Sequence, residues 1–120
     1  MGFQTHAEGT LTADGTEQVV SEISEVSRFS GYVSLAKMQA GDSVVIRQYT
    51  KLFATWEKYG EVTYSNAQAE PVIYFTPKEI ASAIRVTLEQ TAGPSRTFDY
   101  KFIKEVPIIE IKVGGAYFKV

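Results

Sequence analysis

Apolar and polar residues alternate with a period of two along most of this chain, which is the pattern of strands that bury one face. From Arg28 to Leu35, Phe29, Gly31, Val33 and Leu35 fall on one side and Ser30, Tyr32 and Ser34 on the other. Within 81–91, Ile84, Val86 and Leu88 alternate with Arg85, Thr87 and Glu89, and within 97–103, Phe98, Tyr100 and Phe102 alternate with Asp99 and Lys101. The long run 43–53, with Val44, Val45, Ile46, Tyr49 and Phe53, predicts a central strand. Its phase puts Arg47 and Lys51 beside Val45, Tyr49 and Phe53, a mixed face that should be partly solvated.

Turn residues punctuate these runs. Asp14-Gly15 between Gly9-Thr-Leu-Thr and Glu17-Gln-Val-Val-Ser-Glu-Ile-Ser predicts a hairpin of the first two strands, because both residues tolerate positive φ. Ala40-Gly41-Asp42 and Ala92-Gly93-Pro94 break the pattern, and Gly60 between Trp56 and Tyr64 predicts a bent or bulged strand pair. Pro71 opens and Pro77 closes Val72-Ile-Tyr-Phe, and Pro77 to Ala83 offers one helical turn at most. Beyond Pro107, Gly114-Gly115 between two apolar runs predicts a hairpin with a two-residue loop. The expected fold is all-β: an antiparallel β-sandwich or jelly-roll-like domain of about eight strands plus a C-terminal β-hairpin. The expected division is an arm over 1–9, a sandwich over 10–106 and a hairpin or assembly extension over 107–120.

Composition narrows the function classes. A chain of 120 residues, 44% of them apolar, is the size of one domain with its own core. Twelve basic and fourteen acidic residues give a net charge of -2 with no basic stripe, so nucleic acid is not an expected partner. With no cysteine, disulfides, thiolate metal sites and thiol nucleophiles are excluded, and no run is long and apolar enough for membrane insertion. Gly2 invites a lipidation test that fails, since His6 stands where Ser or Thr is required.

The search for chemistry is short. His6 is the only histidine and falls in the expected arm, so neither a metal site nor a serine triad is expected around it. Glu57, Glu61, Glu70, Glu89 and Asp99 are the carboxyls from which a glycosidase pair would have to come, and their default role is a solvated strand face. Asp14 and Asp42, each beside a glycine, read as turn residues before they read as calcium ligands. No phosphate-cradling glycine motif occurs. No enzyme activity, cofactor or metal is therefore expected. Trp56, Tyr59 and Tyr64 are the candidate glycan platform, with cross-strand packing as the bland alternative.

The stretch Gly31-Tyr-Val-Ser-Leu-Ala-Lys-Met-Gln-Ala-Gly-Asp-Ser-Val-Val-Ile-Arg-Gln-Tyr resembles small β-sandwich structural proteins of tailed-virus particles. Thr10-Leu-Thr-Ala-Asp-Gly-Thr-Glu-Gln before it and Val86-Thr-Leu-Glu-Gln-Thr-Ala-Gly after it extend the resemblance over roughly residues 8 to 105. The resemblance implies a virion decoration or accessory subunit that binds copies of itself and a viral shell or tail protein, without an enzymatic site. The residues separately favour a homo-oligomer, a trimer or larger ring, with Phe3 at one end and Ile109, Ile111, Val113, Tyr117 and Phe118 at the other as possible interface. The alternative is a glycan-binding or adhesive module on a cell or virus surface.

Overall fold

The computed structural model describes residues 2–25, 27–80, 83–106, 110–113 and 116–119. Eight strands make two four-stranded antiparallel sheets: β1 (Gly2–Thr12), β2 (Glu17–Ile23), β3 (Ser27–Ser34), β4 (Ser43–Leu52), β5 (Thr55–Ser65), β6 (Val72–Ile80), β7 (Ile84–Ala92) and β8 (Thr97–Val106). Their pairings nest, β4 with β5, β3 with β6, β2 with β7 and β1 with β8. Alternate pairs fall in opposite sheets, so the orders are β1-β8-β3-β6 and β2-β7-β4-β5. This is one long hairpin, turned back at β4–β5 and rolled up: a jelly roll. Two further strands, β9 (Glu110–Val113) and β10 (Ala116–Lys119), form the C-terminal hairpin with Ala116 opposite Val113. Among the described residues they pair only with each other, and no helix is present.

The alternating residues meet between the sheets. Phe29, Val33, Phe75, Phe98 and Phe102 from one sheet pack against Val20, Ile23, Val44, Ile46, Ile84, Val86 and Leu88 from the other. Leu35 and Met38 close one end. Each fully buried aromatic or aliphatic side chain contributes about 1.5–3 kcal/mol. At the centre, Phe29 and Phe102 stack with centroids 5.1 Å apart, and Phe75 lies 5.6 Å from Phe102. Gly31 makes this possible. A Cβ there would sit 2.5 Å from Phe102 Cδ1 and against the Lys101 carbonyl.

Four expectations are corrected. Residues 2–9 are not an arm: they form most of β1, paired along its length with β8. Phe3, 70% exposed, stands on that strand opposite Glu105. Asp14-Gly15 turns the chain, with Gly15 at φ 84° and the Thr16 amide donating to Asp14 Oδ1 at 2.9 Å, but β1 and β2 lie in different sheets and form an arch instead of a hairpin. The Gln18 side chain supplies the cross-connection that a ladder would have given, donating to the Thr12 carbonyl and accepting from the Asp14 amide, both at 3.1 Å. Pro77 does not end its strand, because the β3–β6 register slips by one residue between Phe75 and Lys78 and β6 is an edge strand, where a proline without an amide proton is tolerated. The segment from Pro77 is accordingly strand, not a helical turn, as far as Ile80; Ala81 and Ser82 lie outside the described residues, as do Ile109 and the Gly114-Gly115 loop.

Gly31→Ala is expected to lower the unfolding free energy by about 1–3 kcal/mol, the cost of overpacking a filled core. Gly60→Ala, where the nearest atom to a new Cβ is Gln48 Nε2 at 3.5 Å, is expected to be near neutral. Denaturant midpoints of the two variants check the contrast.

Candidate functional site

The outer face of the β2-β7-β4-β5 sheet carries the chain's densest polar chemistry. Strand pairing sets its rows: Glu22, Arg85, Tyr49 and Lys58 in one, then Val19, Thr87, Arg47 and Glu61, then Glu17, Glu89, Val45 and Thr63. Glu17 and Glu89 are directly opposite, a destabilising arrangement unless a cation lies between them. Arg47 is that cation. Its Nη1 is 2.8 Å from Glu89 Oε1 and 3.6 Å from Glu17 Oε1, while its Nε donates to Glu61 Oε1 at 2.6 Å. Lys58 donates to the same Glu61 oxygen at 3.1 Å.

Ionisation follows this geometry. Hydrogen bonds from Thr87 and Tyr49, each 2.6 Å from Glu17 Oε2, hold the Glu17 carboxyl below the usual range, with Arg47 adding to the effect. The same bond pushes the Tyr49 phenol up, because losing its proton would place two negative charges together. Glu61 is held low by its bonds from Arg47 and Lys58, and Arg47 is pushed up by Glu89 and Glu61.

Beside this cluster lies a shallow groove of about 270 Å³, lined by Glu17, Val19, Tyr49, Trp56, Arg85 and Thr87. The Arg85 guanidinium lies 4.2 Å from the centre of the Trp56 ring and donates to Glu22 Oε1 at 2.5 Å. Lys51 Nζ is 5.8 Å from the same ring. Stacked on an aromatic face and ion-paired, Arg85 is fixed in place.

The three aromatics of the expected platform are not brought together. Gln48 pairs with Gly60 but Tyr49 with Lys58, so Tyr59 is an extra residue and the phase of β5 inverts there. Trp56 therefore faces outward with Lys51, while Tyr64 pairs with buried Val44 and packs against the core. Tyr59 donates to Gln48 Oε1 at 3.1 Å, and burial pushes its phenol up. The expected bend is one bulged strand, and the bulge is what separates the rings.

Of the weighed carboxyls, only Glu61 and Glu89 meet, across Arg47. Asp99 is on β8 in the other sheet, where it accepts from Thr10 at 2.6 Å, Glu57 pairs opposite Thr50 on β5, and Glu70 precedes β6. A glycosidase acid needs a raised carboxyl, and Glu61 is shifted the other way. Asp14 serves its turn; Asp42 is buried, accepting from Arg96 Nε and the Gln39 amide at 2.7 Å each, which holds its carboxyl low. His6 is the extra residue of β1: its Nε2–H donates to the Glu22 carbonyl at 2.7 Å, tying the two sheets, and its ring edge meets Phe29 at 5.9 Å. Among the described residues no group of three or more His, Cys, Asp or Glu is placed to hold a metal ion.

The sequence reading put Arg47 on a mixed face but missed its ring of carboxylates and the groove. Both join residues far apart in the chain, and the only local signal was charge of both signs at period two. Compared with family models, with curated proteins and with solved structures, the chain matches none.

Arg47→Ala is expected to cost about 1 kcal/mol at neutral pH, the scale of a partly exposed ion-pair network. Glu17 and Glu61 have folded pKa values below their unfolded ones, so their stabilisation is present above the unfolded carboxylate range and is lost as pH falls through the folded values. The deficit of Arg47→Ala relative to the parent should therefore shrink as pH is lowered from about 5 towards 3. Chemical denaturation of both proteins across that range reads it.

Proposed function

We propose that this chain is a non-enzymatic structural subunit that works by assembling with copies of itself, as a decoration or accessory protein of a virus particle, with the virion as its location. The observation that carries the reading is the C-terminal hairpin. β9 and β10 are four residues each and pair only with each other among the described residues, and an isolated two-stranded hairpin is marginal in water. Ile111, Val113, Tyr117 and Phe118 make this hairpin too apolar to remain free. Strands β1 to β8 already close a cored sandwich, with core residues running from Leu11 to Phe102 among the described residues, and this supports a hairpin available to a neighbour.

The jelly-roll order supports the particle reading by analogy of fold, since viral shell proteins use it, although lectins and small-molecule enzymes use it too. The resemblance of residues 8 to 105 to structural proteins of tailed viruses points the same way. Glycan binding through Trp56, Tyr59 and Tyr64 loses its physical basis, because the strand bulge divides them between two faces.

The full chain is expected to form a homo-oligomer, a trimer or larger ring, at micromolar concentration, and a chain truncated after Val106 is expected to be folded and smaller. Light scattering with circular dichroism on both proteins tests this. A full-length monomer, or a truncation that unfolds, overturns it.

A further inference from the structure

The β4–β5 hairpin, the innermost turn of the roll, ends in a residue that breaks two rules at once. Phe53 has a left-handed backbone, φ 58°, in a position where glycine or asparagine is at ease, and its side chain is fully exposed at 102%. Leu52 beside it is 54% exposed. The two-residue turn between Leu52 and Thr55 calls for the positive φ, but not for a phenylalanine, and an exposed ring at such a tip is stabilised by a contact that buries it.

The groove on the outer face of the same sheet asks for the complementary occupant. Its polar lining is already partnered: Glu17 Oε2 accepts from Tyr49 and Thr87, and Arg85 is held by Glu22 and Trp56. A polar ligand would have to compete with those bonds, whereas an apolar side chain could displace water without stranding any of them. Val19, 50% exposed, together with Tyr49 and Trp56 offers it aliphatic and aromatic wall. A cavity of about 270 Å³ has room for one phenylalanine ring.

We propose that the Leu52-Phe53 tip of one subunit docks in the groove lined by Val19, Tyr49, Trp56 and Arg85 on a second copy of this chain. Made in one direction, tip into groove, the contact is heterologous, the kind that repeats into a ring or filament. One buried phenylalanine contributes about 150–250 Å², well short of a stable interface, so the contact works as an anchor beside a second one at the C-terminal hairpin. The inference rests on the self-assembly reading and names the surface through which it acts.

The test uses two full-length variants. Phe53→Gly removes the knob and suits the left-handed backbone, so it should fold with at least the parental denaturation midpoint; Val19→Arg fills the hole and places its charge beside Glu17. Each alone should weaken assembly about thirty-fold, the loss expected of an interface anchor. An equimolar mixture should give a heterodimer, because Phe53→Gly keeps an intact groove and Val19→Arg an intact tip. Trp56, the only tryptophan, lies in the groove wall, so its emission should shift to the blue as the parent assembles and should stay fixed over the same concentrations for Phe53→Gly. If the parent assembles and Phe53→Gly assembles equally well, or the mixture gives no heterodimer, this docking is wrong while self-assembly stands. A parent that stays monomeric at every concentration overturns both.

Discussion

When a long hairpin is rolled into two facing sheets, a strand on the longer path around the bend can take up the difference with an extra residue. Here each of the four edge strands carries one residue more than its inner neighbour over the paired stretch: His6 in β1, Val20 in β2, Tyr59 in β5, and one within 76–77 of β6. A bulge bends its strand and increases the local twist, so four of them at the four edges curl both sheets around the common core. They also interrupt the regular ladder that an exposed edge would offer to another chain. The bulges thus blunt the edges against unspecific pairing.

Curling alone would leave two sheets free to slide. The Phe29–Phe102 stack over Gly31 sets how β3 and β8 lie within one sheet, the core side chains interdigitate between the sheets, and polar ties join them at the rims. His6 reaches from the β1 bulge to the β2 backbone. At the other end Asp42, from the loop before β4, holds Arg96 from the loop before β8, and Ser95 donates to the Ala13 carbonyl in the β1–β2 arch. Gly93, at φ 91°, passes so close to the Asp42 carboxylate that no side chain fits between them. Asp42 is the buried member of these ties, so losing Arg96 would leave its carboxylate short of a partner away from water.

The architecture was legible because period-two alternation in 28–35, 81–91 and 97–103 names both the strand and its buried side, and β3, β7 and β8 follow it with the expected residues inward. Of the edge bulges only the one in β5 was legible, through Gly60, and its effect on the phase of the rings was not. One inserted residue inverts the phase of all that follows, and its cause lies in the neighbouring strand, which in β5 is enough to turn Trp56 and Tyr64 to opposite faces. The Asp14-Gly15 signal was read correctly as a turn and wrongly as a hairpin for a related reason. Positive φ is local, whereas the choice between pairing and crossing to the second sheet depends on β7 and β8, far along the chain, already occupying those positions. The candidate site was legible only as a mixed face. Its ring of Glu17, Glu61 and Glu89 around Arg47 draws on four strands.

That ring also bears on what the face can recognise. Arg47 and Lys58 answer Glu61, Arg85 answers Glu22, and Arg47 also lies 3.6 Å from Glu17, so charges of both signs are interleaved on this face and offset each other at a distance. Long-range steering is correspondingly weak, and selectivity must come from contact. In such a setting, charged groups that are already paired act as a fence: they reject a partner that brings an unpaired charge, and they permit an apolar side chain in the gap between them. The gap beside Trp56 opens aromatic and aliphatic surface on this face, and the exposed Leu52-Phe53 tip of the same hairpin has the matching chemistry. One hairpin therefore carries both the innermost turn of the roll, with its exposed tip, and the Trp56 wall of the groove.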